Sequence, residues 1–435
     1  PPWGNPKDRH VVSYEEFVKT GGYKSLEKAL DMEPKAIIEL VKESQLRGRG
    51  GAGFPCGMKW SFLAPDDGGR RYLCVNCDEA EPGTFKDRLL CDFDPHIMLE
   101  GIAIACYACH LDTAYFFIRG EYHHEAKVVE NAIKEAYDNG IFGKKGLLRG
   151  KNKFAVECHM HISAGAYICG EETGLLEAVE GKRAWPRVKP PFPAVKGLFG
   201  RPTIVNNVET LASVGPIVEH GVKWWTSMGC VSRYPGGMPS YGPKLMGVSG
   251  HVNKPGVYEV DLGIPLSKLV NEHCGGIRGG KRFKGAIAGG VSMGILGPDQ
   301  FDAEMDFDIG RGYDVMGLGT ACPTVFDEDT DMVAVCRNIA RFFNNESCGQ
   351  CTPCREGASW MYKLLCRIED GNGTSKDLDL LLELAGSMGI MPGTTICGLA
   401  DGNNWAVRTI VNKYRDEFEA RVKPSLVTMT VGATR

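Results

Sequence analysis

The first 230 or so residues alternate between two hydrophobic patterns. Short apolar runs, "RYLCVNC" (residues 71–77), "TAYFFIRG" (113–120) and "KFAVECHMHI" (153–162), read as strands. Residues 94–108, "HEAKVVENAIKEAYDNG" (124–140) and "EETGLLEAVEG" (171–181) read as helices, with Gly140 as a stop. Residues 1 to about 45 read as helical too, with Pro34 at an early helical position and Ile37, Ile38 and Val41 on one face. Strands alternating with helices predict a parallel sheet in an α/β domain. The pattern changes near Tyr234, where "YPGGMPSYGP" reads as a linker. From Lys244 to about Asp329 come short strands, many glycines and one short helix in "PLSKLVNEHCGG", which predict a small α+β domain. From Thr330 onward, "DMVAVCRNIARFFNNES", "SWMYKLLCRIEDG", "SKDLDLLLELAGSMG" and "GNNWAVRTIVNKYRDEFEARV" predict a helical bundle. The expected domains are 1–235, 236–329 and 330–435.

Composition narrows the class. The chain has 435 residues, is 43% hydrophobic and 24% charged, and carries a net charge of -4. That balance points to neither nucleic acid nor an anionic membrane surface. No apolar run of about 18 residues exists, so no membrane insertion is expected. "GIAIACYAC" is bounded by Glu100 and His110 and reads as a buried helix. "PPWGNPKDRH" lacks the apolar core of a signal peptide, and its start at Pro1 rather than Met suggests processing or trimming. With no secretion signal read, most of the seventeen cysteines, scattered singly in apolar runs, are expected to be reduced, buried, small hydrophobes.

One group of cysteines is different. "ESCGQCTPCREG" (346–357) spaces Cys348, Cys351 and Cys354 three apart, like the first three ligands of a ferredoxin-type [4Fe–4S] cluster. The fourth ferredoxin position holds Ala358, so the fourth ligand must be remote. Cys366 lies 12 residues on, inside an apparent helix, which is roughly 18 Å along the axis and out of reach. Cys336, in another helix, meets the same objection. Cys397 lies in "GTTICGLADG", a glycine-flanked stretch that can fold back and offer backbone N–H groups to sulfur. A structural zinc site is the alternative, although zinc usually takes cysteines as two separated pairs. The expected metal ligands are Cys348, Cys351, Cys354 and Cys397.

"LRGRGGAGFPCGMKW" holds Gly48, Gly50 and Gly53 in a formal G-x-G-x-x-G, but it follows a helix and so is not an ordinary dinucleotide turn. Its glycines still let a backbone approach a flat ring or a phosphate. Arg47, Arg49 and Lys59 add charge, and Phe54, Trp60 and Phe62 suit a stacked aromatic ligand. A flexible surface loop is the alternative. "VNCDEAEPGTFKDR" places Asn76, Asp78, Glu79 and Glu81 beyond a strand ending near Val75, where open α/β sheets bind ligands. "GAYICGEETGLLEAVEG" places Glu171 and Glu172 at a helix start, where capping is the alternative role. "KPPFP" adds Lys189 and Phe192 on a rigid segment, and "IVNNVET" adds the amides Asn206 and Asn207. Together they outline a site for a flavin and a dinucleotide, a flavin being able to pass single electrons to an iron–sulfur cluster.

These motifs, from Leu46 to Leu399, resemble in content and order one family: the NADH-binding 51-kDa flavoprotein subunit of respiratory complex I. The resemblance implies an enzyme that takes a hydride from NADH onto FMN. Single electrons then pass to a [4Fe–4S] cluster, along an iron–sulfur chain and on to quinone. It implies a Rossmann-like flavin domain, a ubiquitin-like domain of soluble-ligand-binding type and a helical bundle carrying the cluster. FMN would be held by the loop of Gly48, Gly50, Gly51 and Gly53, by Lys59, Asn76 and Asp78, by Tyr167, Gly170, Glu171 and Glu172, and by Asn206 and Asn207. NADH would stack on the flavin, with Phe54, Phe62 and Phe192 around the adenine, Glu81 at the nicotinamide half and Lys189 near. Glu81 and Glu172 are expected to bear most on the reaction, Glu81 through binding and Glu172 by repelling the 2′-phosphate of NADPH. The implied partners are a thioredoxin-like [2Fe–2S] subunit and a large iron–sulfur subunit. The implied place is peripheral, on the cytoplasmic side of a cell membrane, or on the matrix side of the mitochondrial inner membrane in a eukaryote. The chain departs from the family at Cys56 (usually Thr), Cys77 (often Ala), Ile162 (usually Arg) and Ser163 (usually Gly).

Two other readings stand beside this one. A diaphorase subunit of an NAD-dependent hydrogenase or formate dehydrogenase uses the same core. Many of those carry an extra [2Fe–2S] segment or a terminal pair of ferredoxin clusters, whereas 38 residues follow Cys397 here and none is a cysteine. A non-enzymatic scaffold with a zinc knot predicts no visible flavin absorbance.

Overall fold

The computed structural model describes residues 9–143 and 155–423. The expectations for residues 1–8, for Lys153 and Phe154, and for the chain beyond Lys423 lie outside the described residues. The chain divides into two compact units, residues 1–328 and 329–435.

The first unit opens with three short helices, Tyr14–Lys19, Lys24–Leu30 and Pro34–Glu43. Pro34 begins the third, where its missing N–H leaves no helical bond unmade. Four strands, β1 (Tyr72–Cys77), β2 (Thr113–Ile118), β3 (Glu157–Ile162) and β4 (Thr203–Asn207), form an all-parallel sheet in the order β3-β2-β1-β4. β1 ends at Cys77 with the apolar run 71–77 and so passes the point near Val75 at which the acidic loop is expected to begin, because Asn76 and Cys77 stay in register with Phe117 and Ile118. Its run is apolar without alternation because β1 is central and buried. The helix Pro95–Cys109 is buried along its length except at Ile97, which explains why its sequence is apolar all round. The helix His123–Asp138 ends at Asn139, and Gly140 follows at φ 69. The order of strands reverses between β1 and β4, so a crevice opens beyond their carboxyl ends.

The expected linker is tied down by a two-stranded ribbon, β5 (Gly229–Cys230) with β6 (Ser240–Tyr241). After it come β7 (Pro243–Gly250), β8 (Gly256–Asp261), β9 (Phe283–Ile287), β10 (Ile295–Leu296) and β11 (Thr324–Asp327). They form a mixed sheet in the order β10-β9-β11-β7-β8, with β11 parallel to β7 and the other pairs antiparallel. The short helix Leu266–Lys268 continues as a π-type turn, Leu269–His273, and buries Leu266, Leu269 and Val270 in this domain's own core.

The second unit is helical: Met332–Glu346, Thr352–Glu369, Ser375–Ser387, Leu399–Lys413 and Arg415–Glu419. The second of these starts seven residues before the expected Ser359, with Pro353 in its first turn, so Cys354 is itself helical. Its buried stripe runs Cys354, Gly357, Ala358, Met361, Leu364, Leu365 and Ile368. Ala358 is thus a packing residue, and Cys366 lies off the stripe. None of the seventeen cysteines is in a disulfide, and thirteen of them are buried. Burial pushes the Cys56 and Cys158 thiols up to about 12, in each case as the largest effect.

Candidate functional site

The crevice at the β1/β4 reversal holds a cavity of about 650 Å³. Its first wall is the loop after the helix Pro34–Glu43, with Gly48, Gly50, Gly53 and Phe54, and the helix Cys56–Ser61 that follows, with Cys56, Lys59 and, at its end, Phe62. The close fit of this loop requires glycine. A Cβ on Gly50 would stand 2.9 Å from Cβ of Asn207, and Gly51 has φ 128, which disfavours any side chain. Asn76 at the end of β1 and Asn206 and Asn207 at the end of β4 form the floor. Gly170, Glu171, Glu172, Lys189 and Phe192 form the opposite wall. The structure therefore brings together fourteen of the expected ligand-binding residues around one cavity. Gly51, Asp78, Tyr167 and Glu81 do not line it.

The three amides are committed to the protein. Asn76 donates to the Gly170 carbonyl at 3.0 Å and accepts from the Asp78 N–H at 3.0 Å. Asn206 accepts from the Trp60 indole at 2.8 Å. Asn207 donates to Asp87 at 2.7 Å and to the Asn76 carbonyl at 3.3 Å, while its oxygen caps the helix Val208–Ala212. These side chains fix the walls relative to one another. Behind Asn207 lies a buried ionic chain. Asp87 meets Lys86 at 2.6 Å, Lys86 meets Glu209 at 2.7 Å, and Glu209 meets Lys244 of β7 at 2.6 Å. Burial would raise the Glu209 carboxyl, but Lys244, Lys86 and Arg49 outweigh it and hold the pKa at about 2. The sequence motifs contain Lys86, Asp87 and Glu209 without marking a role for them, and Lys244 carries no local signal.

The charged wall is balanced. Glu171 is the N-cap of the helix Glu172–Val179, accepting from the N–H groups of Thr173 at 2.8 Å and Gly174 at 2.9 Å. Its other oxygen meets Lys189 at 2.9 Å. Glu172 does not cap. It meets Lys189 at 2.8 Å and Lys59 at 3.5 Å. Burial pushes its carboxyl up, but Lys59 and then Lys189 outweigh this and hold it below the usual range. Lys59 also donates to the Val205 carbonyl at 3.0 Å. Phe54, Phe62 and Phe192 are each about half exposed beside the cavity, with Phe54 and Phe62 6.2 Å apart. The peptides Lys189–Pro190 and Pro190–Pro191 are cis.

Glu81 is turned away from the cavity. Its carboxylate accepts from Tyr167 at 2.6 Å and from both the backbone N–H and the hydroxyl of Ser292 at 2.7 Å. Burial raises its pKa against these donors. Glu79, by contrast, organises its own loop, accepting from the N–H groups of Lys86, Asp87 and Arg88.

In the helical unit, the Ile396 N–H donates to Cys351 Sγ at 3.4 Å, so the residue before Cys397 stands against the three-cysteine motif. Asp401 holds that returning loop by accepting from Ile390 at 2.8 Å and Met391 at 3.4 Å. Cys354 and Cys366 share one helix, which keeps them far apart. Among the described residues no three Cys, His, Asp or Glu side chains converge as they would around one ion. A [4Fe–4S] cluster, by contrast, spreads its four thiolates over a larger body. The returning loop, with its N–H aimed at a cysteine sulfur, fits that group.

Residues 41–216 match the family model of the Nuo51 FMN-binding domain, residues 246–296 that of the SLBB domain, and residues 334–421 that of the NADH-ubiquinone oxidoreductase-F iron–sulfur binding region. An NADH-quinone oxidoreductase subunit of Rhizobium meliloti is 49% identical over 96% of this chain and 95% of its own length. NADH dehydrogenase [ubiquinone] flavoprotein 1 of Dictyostelium discoideum is 43% identical over 95% of this chain and 84% of its own. Among solved structures, an NAD+-reducing [NiFe]-hydrogenase superposes with a TM-score of 0.81 at 34% identity, covering 96% of this chain and 68% of that one. Three domain models matched in order, and relatives aligned almost end to end, place the chain in the Nuo51 family of NADH-quinone oxidoreductase subunits.

Proposed function

We propose that this chain is the NADH-oxidising flavoprotein subunit of a complex I-type NADH:quinone oxidoreductase. The observation that supports this most is the cavity at the β1/β4 reversal, with the glycine backbone and Lys59 on one side and Lys189 among Glu171 and Glu172 on the other. Bound there, FMN supplies hydride acceptance and the return of single electrons. The backbone of Gly48, Gly50 and Gly53 offers a flat face to such a ring. Lys59 and Lys189 offer cations to phosphate groups, in exchange for their present carboxylate partners. Phe54, Phe62 and Phe192 offer apolar faces to an adenine. Asp78 and Tyr167 stand behind the wall and Gly51 completes its turn. Glu81 orders the loop that would meet the nicotinamide. Cys348, Cys351, Cys354 and Cys397 would ligate the [4Fe–4S] cluster. The α/β domain is read as Rossmann-like and the small domain as ubiquitin-like, over 1–235 and 236–329, with the cluster bundle at 330–435. Quinone as final acceptor, a thioredoxin-like [2Fe–2S] subunit and a large iron–sulfur subunit as partners, and a peripheral place on the cytoplasmic or matrix side of the membrane complete the proposal. Among the described residues no helix is long and apolar enough to cross a membrane.

The test is direct. Purified protein should show flavin absorbance, release FMN on denaturation, contain iron and reduce ferricyanide with NADH. Protein without flavin would overturn the reading. The hydrogenase-like structure supports a second reading, a diaphorase subunit of an NAD-dependent hydrogenase. Mass spectrometry of the native complex separates the two by the catalytic subunits found with this chain.

A further inference from the structure

The small domain holds the loops around the cavity at three points. At the first, Arg47 precedes Gly48 and is buried. Its Nε donates to the Gly53 carbonyl at 2.8 Å, which closes the glycine loop across its two ends. Its Nη1 donates to Asp308 at 2.6 Å, and its guanidinium lies 4.8 Å from the centre of the Phe307 ring. A Cβ on Gly53 would stand 2.8 Å from that same ring. Asp308 also accepts from the Met238 N–H at 2.9 Å, which holds its carboxylate in place. At the second point, the fully buried Arg49 donates to the carbonyls of Tyr241 at 2.8 Å and Pro243 at 3.1 Å. At the third, Ser292 holds the Glu81 carboxylate through its N–H and its hydroxyl.

All three contacts are charge-assisted, and all end on loops beside the cavity. A charged hydrogen bond between buried groups constrains geometry more tightly than apolar packing, because it is directional and costly to leave unmade. The loop cannot obtain this constraint from its own sequence, since five of the ten residues from Gly48 to Gly57 are glycine.

We propose that the small domain sets the shape of the flavin cradle, and that Asp308 is a positioning residue acting through Arg47 on the glycine loop. This rests on the reading that the cavity holds FMN. Replacing Asp308 by Asn leaves a buried guanidinium without its counter-charge and loosens the loop by which the ring is gripped. The small domain is then part of the flavin site in all but direct contact, which gives it a role besides any ligand of its own.

The experiment uses the full chain with its cluster. Release of FMN is followed by flavin fluorescence in wild type, Asp308→Asn, Arg47→Met and the double variant. Asp308→Asn should speed release by about tenfold or more. The double variant should add less than about twofold to Arg47→Met, since both changes break one interaction. Iron content should not change. Hydrogen exchange of the flavin-free full chain supplies a second reading. Amides of residues 48–54 should exchange faster in Asp308→Asn, while those of β7, β9 and β11 keep their wild-type rates. Wild-type FMN release in Asp308→Asn, additive effects in the double variant, or an equal loss of protection in the strands would each overturn the proposal. If wild-type protein binds FMN and the variant behaves like it, the positioning role alone fails. If wild type binds no FMN, the flavin reading fails and the proposal with it.

Discussion

Glu171 and Glu172 adjoin in the chain, yet the helix start assigns them different tasks. One oxygen of Glu171 caps the helix and the other meets Lys189, whereas Glu172 makes no cap and faces both lysines of the cavity. Glu171→Gln should cost about 1 kcal/mol of stability, seen in denaturant unfolding. Glu172→Gln should lower stability modestly, since it removes a carboxylate that both lysines hold ionised, and raise kcat/KM for NADPH by about tenfold or more, with a smaller change for NADH. Ferricyanide reduction with both nucleotides checks this, and an unchanged ratio removes Glu172 from nucleotide choice. For the cluster, Cys397→Ser should lose iron and the EPR signal of the reduced protein, while Cys366→Ser keeps both. The opposite pattern would make Cys366 the ligand. At this scale the residue types were legible because flavin and cluster chemistry demands them at fixed spacing. Their wiring was not. The partners of Asn206 and Asn207, Trp60 and Asp87, lie 146 and 120 residues away, and no local pattern encodes such pairs.

Elements with several turns or a fully buried strand were legible, and short ones were not. The strands β1 and β2 and the helices Pro95–Cys109 and His123–Asp138 each carry enough residues to show their period. The helices Cys56–Ser61, Asp87–Phe93 and Val208–Ala212 have seven residues or fewer, too few for a periodic signal, and their starts lie in motif loops. The start of Thr352–Glu369 was hidden for a different reason: cysteines and a proline occupy its first turn, where ligand spacing masks helical spacing. The glycine loop belongs to this scale as well. Gly50→Val places a branched side chain against Asn207, and Gly51→Val forces a rare backbone angle. Both variants should lose FMN, read as flavin absorbance per protein, and keep iron, because the cysteine motif lies in the other compact unit. Stoichiometric FMN in Gly50→Val would remove the loop from the flavin site.

Across the whole molecule, the ionic chain from Lys244 to Asn207 joins the small domain to the floor of the cavity. It also makes stability depend on pH in a set direction. Glu209 titrates at about 2 in the folded chain against 4.5 ordinarily, so its contribution is complete above about pH 5 and is lost as pH falls from 4.5 towards 2. The shift corresponds to roughly 3 kcal/mol. Denaturant unfolding between pH 7 and pH 2 should show that loss, and Glu209→Gln should be less stable at pH 7 and flatter in acid. A wild-type curve already flat between pH 5 and 2 would contradict the assigned electrostatics.

Two buried thiols of the interior have a further use. Only the thiolate of a cysteine attacks an alkylating reagent, and burial keeps Cys56 and Cys158 both out of reach and protonated at neutral pH. Each can therefore be labelled only while its element is open to solvent. A timed pulse of iodoacetamide followed by peptide mass mapping would report how often β3, through Cys158, and the helix Cys56–Ser61 breathe, one clock per element, with no probe added to the sequence.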